Sequence, residues 1–241
     1  MKITDQVYLV GGAGFGYSAS GDCNVYLVDG GDALALIDTG GGLGARDILG
    51  NVKRMGLNPD TITVAFNTHS HFDHIGGNYE IKQATGCRIA AHEADRRSIT
   101  ELDENSLYGM ALERGLSFKA VDVDVTLKDG DKFQVGDASL RVVHTPGHTP
   151  GCISLLMKER DGKLSLFCGD VAGASGRLGF INGPGFDLDD WKMSIKRMLE
   201  LRPDRLYPGH NTFLLSDAVD HLKLYDQKMN APWTTIVTSV G

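Results

Sequence analysis

THSHFDHIGG, residues 68–77, places His69, His71, Asp73 and His74 within six consecutive positions. Imidazole and carboxylate side chains bind borderline transition metals, so the cluster reads first as a metal site. Its spacing then sets the local structure. Residues two apart point to nearly opposite sides of a helix but share a face of extended chain, so His69 and His71 meet one ion only as the chain leaves a strand. The preceding TITVAFNT run is β-branched and apolar before it turns polar, as a buried strand leaving a sheet would be. Asp73 and His74 then fall on the turn into a helix. They diverge from the first pair's ion and suit a second one, and Gly76 and Gly77 let backbone pack close to the site. The alternative is a polar turn that happens to be rich in histidine.

The 241 residues are enough for one large α/β domain or two small ones, and we read residues 1–241 as one domain. A hydrophobic content of 41% with 23% charged residues is that of a globular protein, and a net charge of −7 argues against a nucleic-acid partner. No apolar run approaches a membrane span, and the opening MKITDQVYLVGG has no secretory h-region. Cys23, Cys87, Cys152 and Cys168 form no CxxC pair, so they read as small buried hydrophobes in a reduced, cytoplasmic setting.

Residues 7–10, 24–28 and 34–38 read as short strands opening an antiparallel sheet. The loop 11–21 carries Phe15 and Tyr17, and is either a surface loop or a flap whose aromatics cover a substrate. Asp38, at a strand end, either caps the turn or orients a metal-bound histidine. Residues 44–55 and 75–85 read as helices and 87–91 as a strand leading to His92, which has no partner at ligand spacing. The poorly periodic stretch 99–118 is expected to be helical and to shape a pocket mouth, with Tyr108 and Met110 as substrate contacts. Strands follow at 121–127, 132–135 and 139–144, the last ending in His144, read as structural.

Two further turns carry histidine. His148 lies between two Pro-Gly pairs in VHTPGHTPG, residues 143–151, where backbone rather than rotamer choice would set its position. The alternative is a surface turn histidine. His210 ends a short strand and Pro-Gly turn within residues 202–210. Between them, a hairpin of 152–157 and 163–167 ends in Cys168-Gly169-Asp170, a carboxylate at a strand exit. Residues 187–201 read as a helix capped by Asp187 or Asp189, and 216–229 as another, before APWTTIVTSVG as a final strand or a loose end.

THSHFDHIGG, TPGHTPG, CGD and YPGH, in that order, resemble the metallo-β-lactamase-fold superfamily of metal hydrolases. The resemblance implies an α/β fold, a four-layer αββα sandwich of two mixed β-sheets with helices on both outer faces. It implies a first metal held by His69, His71 and His148, a second held by Asp73, His74 and His210, and Asp170 bridging them. Two divalent ions, zinc before iron or manganese, would share a nucleophilic hydroxide that Asp73 orients and deprotonates. The expected partner is a small-molecule substrate, with no nucleic acid, no membrane and an open option of a homodimer.

Branches of the superfamily differ at positions present here. True β-lactamases usually lack an aspartate at the Asp170 position, and flavin-linked diiron reductases tend to carry Glu where this chain has His71. Members that process tRNA carry a long basic arm, absent from this acidic chain. Acyl-homoserine lactonases share the metal set but place a Tyr soon after the bridging Asp, where this chain has VAGASGRLGF. The region from GDVAGASGR to YPGH is most similar to the glyoxalase II-like group, which hydrolyses glutathione thioesters; Arg177 sits roughly where that group places a basic residue for the carrier's carboxylate, or is a solvated loop charge. With only 31 residues after His210, that group's extra C-terminal helical segment is expected to be missing or much reduced. Persulfide dioxygenases share the motifs with a single iron at the first site, and a regulatory member would keep metal without activity.

Overall fold

The computed structural model describes residues 1–177 and 183–231, so the expectation for the APWTTIVTSVG segment beyond Ala231 lies outside the described residues. The strands are β1 (Val7–Gly11), β2 (Val25–Asp29), β3 (Leu34–Ile37), β4 (Ile62–Phe66), β5 (Arg88–His92), β6 (Val125–Leu127), β7 (Lys132–Val135), β8 (Ala138–His144), β9 (Ile153–Lys158), β10 (Leu164–Gly169) and β11 (Arg205–Pro208). The helices are α1 (Ala45–Arg54), α2 (Phe72–Ile75), α3 (Asn78–Thr85), α4 (Arg96–Glu101), α5 (Tyr108–Glu113), α6 (Leu188–Leu201) and α7 (Ala218–Met229). One sheet runs β1 to β6 in chain order and the other β11-β10-β9-β8-β7. Both are mixed: β1, β2 and β3 pair antiparallel and β3 to β6 parallel, while β10 pairs antiparallel with β9 and parallel with β11.

Strand alternation builds the layers. In β1, Val7 and Leu9 face Leu140, Val142, Leu155 and Phe167 of the other sheet, whereas Tyr8 and Val10 join Ile48 and Val52 of α1 and Ile81 of α3. Because helices cover the outer faces, both faces of the central strands are apolar. On the second sheet, Leu166 and Leu206 pack against Trp191, Ile195 and Met198 of α6 and Leu222 and Tyr225 of α7. The architecture is therefore αββα, as expected. Asp187 is the α6 cap, accepting from the amides of Asp189 and Asp190 at 2.9 Å.

Several bonds draw the sheet ends together at one edge. Ile153 N donates to Thr68 O at 2.8 Å, Asn24 N to Gly209 O at 2.6 Å, and the Tyr26 hydroxyl to Pro208 O at 2.8 Å. In register, Ile37 of β3 lies beside Phe66 of β4, and Phe167 of β10 beside Tyr207 of β11. The residues that follow these four strands consequently emerge together.

Three element expectations are corrected. The expected helix over 75–85 is two pieces, α2 and α3, broken at Gly76-Gly77 because those residues press against Gly41 and the Thr39 carbonyl, where any Cβ would clash at 2.4 and 2.1 Å. Residues 99–118 do not form one helix: α4, a short turn at Glu104–Ser106 and α5 are separated by Leu102 and Leu107, both at positive φ. Only Val125–Leu127 of the expected strand 121–127 is paired.

Candidate metal centre

His69 and His71 lie just past β4, and His71 keeps extended backbone (φ −65°, ψ 146°) before Asp73 and His74 enter α2. His148 comes from the turn between β8 and β9, Asp170 from the exit of β10 and His210 from the exit of β11. All seven converge. Donor atoms of His69, His71 and His148 lie within 4.8 Å of one another, and so do those of Asp73, His74 and His210. Asp170 touches both groups, with Oδ1 3.3 Å from His74 Nε2 and Oδ2 3.6 Å from His148 Nε2 and 3.3 Å from His210 Nε2.

The chemistry of these atoms fits cations. His69 Nε2, His71 Nδ1, His74 Nε2, His148 Nε2 and Asp170 Oδ1 are buried without a hydrogen-bond partner among the described residues. Five such atoms aimed into one space would be costly unless something met their lone pairs. Burial, reinforced by neighbouring imidazoles, pushes His69 well below its ordinary pKa and His71 down to about 3, and burial lowers His148 as well. These three are neutral, as metal ligation requires. His210 is driven up to about 10, first by the Asp170 carboxylate, while burial opposes the shift and Asp73 adds to it. Burial also lowers His74, but Asp170, Asp38 and Asp73 more than reverse that. Around the second triad, protons stand where a cation would.

The bonds behind the cluster select its tautomers. Asp38, held in the left-handed region at φ 63°, accepts from Thr68 N at 2.7 Å and from the Thr68 hydroxyl at 2.9 Å. It also meets His74 Nδ1 at 2.9 Å. With its proton given to Asp38, the Thr68 hydroxyl accepts from His69 Nδ1 at 3.1 Å. One carboxylate thus turns the Nε2 lone pairs of His69 and His74 toward the site. Asp38 follows β3 and is bonded to His74 directly and to His69 through the Thr68 hydroxyl.

Asp95 was missed in the sequence. It is 1% exposed, and it accepts from Ser70 N at 2.8 Å, the Thr149 hydroxyl at 2.6 Å and Gly151 N at 2.7 Å. It therefore ties the His69–His71 turn to the His148 turn. Its only sequence signal was an acid shortly after a strand, in HEADRRS, which many surface turns share. His92 and His144 stand outside the cluster, their rings stacked at 4.0 Å, and His144 Nε2 bonds Pro150 O at 2.8 Å.

A cavity of about 460 Å³ opens on the second triad, lined by Phe15, Asp22, Phe72, Asp73, Arg114 and His210 among others. Phe15 is in its wall, stacked at 6.0 Å on Phe213. Tyr17 is not: it lines a separate surface hollow with Asp47, Asn51 and Arg54, because the short turn Ala13–Phe15 sends the two aromatics different ways. Tyr108 is also displaced from its expected role, its hydroxyl bonded to Phe118 O at 3.2 Å and its ring packed on Phe118. Arg177 is exposed and reaches Asn211, a wall residue, at 3.4 Å. Asp22, Phe72 and Arg114 are wall residues that sequence reading overlooked.

The metallo-beta-lactamase superfamily model matches residues 20–210. The chain belongs to this superfamily. Among superfamily relatives, the hydroxyacylglutathione hydrolase of Methylococcus capsulatus is 37% identical over 110 residues, 46% of this chain and 34% of that protein. The acyl-coenzyme A thioesterase MBLAC2 of Bos taurus is 29% identical over 82% of this chain and 76% of its own. The match spans 34% and 41% of the lengths of two hydroxyacylglutathione hydrolases, from Methylococcus capsulatus and Rhodospirillum rubrum. In three dimensions the chain is similar to the subclass B3 metallo-β-lactamase BJP-1 of Bradyrhizobium japonicum, with TM-score 0.78 and 26% identity over 100% of this chain and 94% of that one. These superfamily relatives are hydrolases by name.

Proposed function

We propose that this chain is a binuclear metal-dependent hydrolase that cleaves thioesters, of the glyoxalase II-like kind. The observation that carries the reading is the pair of ligand triads joined through Asp170 at the head of a small-molecule cavity. Names of superfamily relatives, a hydroxyacylglutathione hydrolase and an acyl-coenzyme A thioesterase, support a thioester as the scissile bond.

In this reading His69, His71 and His148 would hold one ion and Asp73, His74 and His210 the other, with Asp170, which touches both triads, available to each. Bound zinc would supply a water of lowered pKa and a Lewis acid for the substrate carbonyl. Asp73, the ligand carboxylate in the cavity wall, orients the attacking water and accepts its proton. Asp38 and Thr68 keep His69 and His74 in the ligating tautomer throughout. Phe15 and Phe72 give the acyl group an apolar wall, and Arg177 reaches the rim through Asn211 toward the thiol carrier. No serine or cysteine nucleophile is needed.

The test is metal content per chain by elemental mass spectrometry, joined to hydrolysis of a thioester, lactone and β-lactam panel. Near two metal ions per chain and thioester turnover are expected, with His69→Ala and Asp170→Ala losing metal and on the order of a hundredfold or more in rate. One iron per chain with oxygen consumption on a persulfide, or turnover confined to β-lactams or lactones, would overturn the reading.

A further inference from the structure

We infer that Arg114 is an anion-binding residue of this site, and that the substrate is a thioester whose thiol carrier bears a carboxylate or phosphate. The inference rests on the thioester reading above and adds to it the charge of the substrate and the residue that reads it.

Among the described residues, Arg114 is the sole lysine or arginine in the wall of the cavity that also exposes Asp73 and His210. Although the chain has more acidic than basic residues, no carboxylate lies within salt-bridge distance of Arg114 among the described residues. Its guanidinium instead lies 5.6 Å from the centroid of the Phe72 ring. Phe72 is 4% exposed and adjoins Asp73 in the chain, so the ring that carries the cation is anchored to the metal cluster itself. Cation–π contact leaves the edge of the guanidinium, with its fork of N–H donors, free for a planar anion.

The backbone beneath is equally held. Arg114 N donates to the carbonyls of Met110 and Ala111 at the end of α5, and Leu107, Ala111 and Leu116 of the same segment pack on Phe72 and Ile75. The poorly periodic segment, which has no regular helix to satisfy, thus delivers one cation to the cavity. Two acids share the wall. Asp73 faces the metal ligands, and Asp22 is turned to the backbone, its Oδ1 accepting from Gly41 N at 2.7 Å. Phe15, stacked on Phe213, is also in the wall and suits an uncharged acyl chain. A neutral lactone or simple ester would leave Arg114 with nothing to bind.

Matched substrates test this on the metal-loaded protein. Acyl-4′-phosphopantetheine is compared with the same acyl-pantetheine, and S-acylglutathione with its diethyl ester, so that within each pair the scissile thioester is shared and the anionic groups are removed or masked. Wild type is expected to favour the anionic member of at least one pair by about tenfold or more in kcat/KM, and the pair that responds tells phosphate from carboxylate. Arg114→Gln should raise KM about tenfold more for the anionic members than for the neutral ones, erasing most of that preference, with metal content retained. Arg114→Lys should retain part of it. Calorimetric binding of non-hydrolysable S-alkyl thioethers of the same carriers should divide in the same way. Equal rates within both pairs, or an Arg114→Gln loss shared by neutral and anionic members, would overturn the inference while leaving thioester hydrolysis intact. No turnover of any of the four would overturn the thioester reading itself.

Discussion

Three donors converge on the carboxylate of Asp95, from Ser70, Thr149 and Gly151. Asparagine keeps the shape but has one acceptor oxygen, and its amide would face an N–H. We expect Asp95→Asn to loosen the turns bearing His71 and His148 and to weaken the first metal site by about 10–100-fold, with a stability loss of about 1–3 kcal/mol. Thr149→Ala, which removes one of the three donors, should do much less. Competition with a metallochromic chelator measures both, and unchanged affinity in Asp95→Asn would show that the turns hold their shape without it.

At the scale of elements, the site depends on helices that contribute no ligand. α6 braces the His148 turn: Asp187 N donates to Gly147 O at 2.8 Å and the Ser194 hydroxyl to Pro146 O at 2.7 Å. Gly147, at φ 128°, lies so close that a Cβ would sit 2.4 Å from Trp191 backbone atoms. Gly147→Ala should therefore cost about 1–3 kcal/mol and lower Tm by several degrees. Gly109→Ala is the contrast, because a Cβ there meets nothing within 4 Å and the residue is within α5. It should raise stability by about 0.5–1 kcal/mol. Thermal melts of the two variants should move in opposite directions.

Over the whole molecule, metal, protons and stability are linked. His210, with its pKa at about 10, carries a proton at neutral pH in the metal-free chain, and ligation must displace it. Metal uptake near pH 7.5 should release protons, seen as a buffer-dependent heat in titration calorimetry, and affinity should rise with pH. Because its folded pKa is raised, protonated His210 stabilises the metal-free fold fully below about pH 6.5, and that contribution fades as pH rises through about 10. Asp170 is held well below the carboxylate range by the His210 and His74 charges, against burial, so its contribution holds above about pH 4 and fades as pH falls. The Tm gap between loaded and chelated protein should consequently widen from pH 6 to pH 9. At free metal a thousand times Kd, loading should be worth about 4 kcal/mol. A gap independent of pH would refute the displaced proton.

Local pattern was enough to determine much of this protein. His69 and His71 two apart, after a β-branched run, demand extended backbone, and Pro-Gly turns around His148 and before His210 place those rings by backbone alone. Apolar strand runs and amphipathic helices such as α1 were legible one by one, while the αββα layering was implied by the family resemblance of the motifs. Asp38 was visible because a carboxylate at a strand end is a recognisable partner for a histidine. Other features depended on residues far apart in the chain. Asp95 matters only because the β5 exit meets two turns, one of them more than fifty residues later, and no spacing encodes that meeting. Tyr17 and Phe15 look alike in sequence, yet a single tight turn separates their destinations. Arg114 was one exposed cation among many until Phe72 packed beneath it at the cavity wall. Periodicity and turn chemistry act through covalent neighbours, so the sequence carries them openly. The convergence of side chains on one cavity is set by how the two sheets and the 96–116 segment pack, and only the tertiary structure decides it.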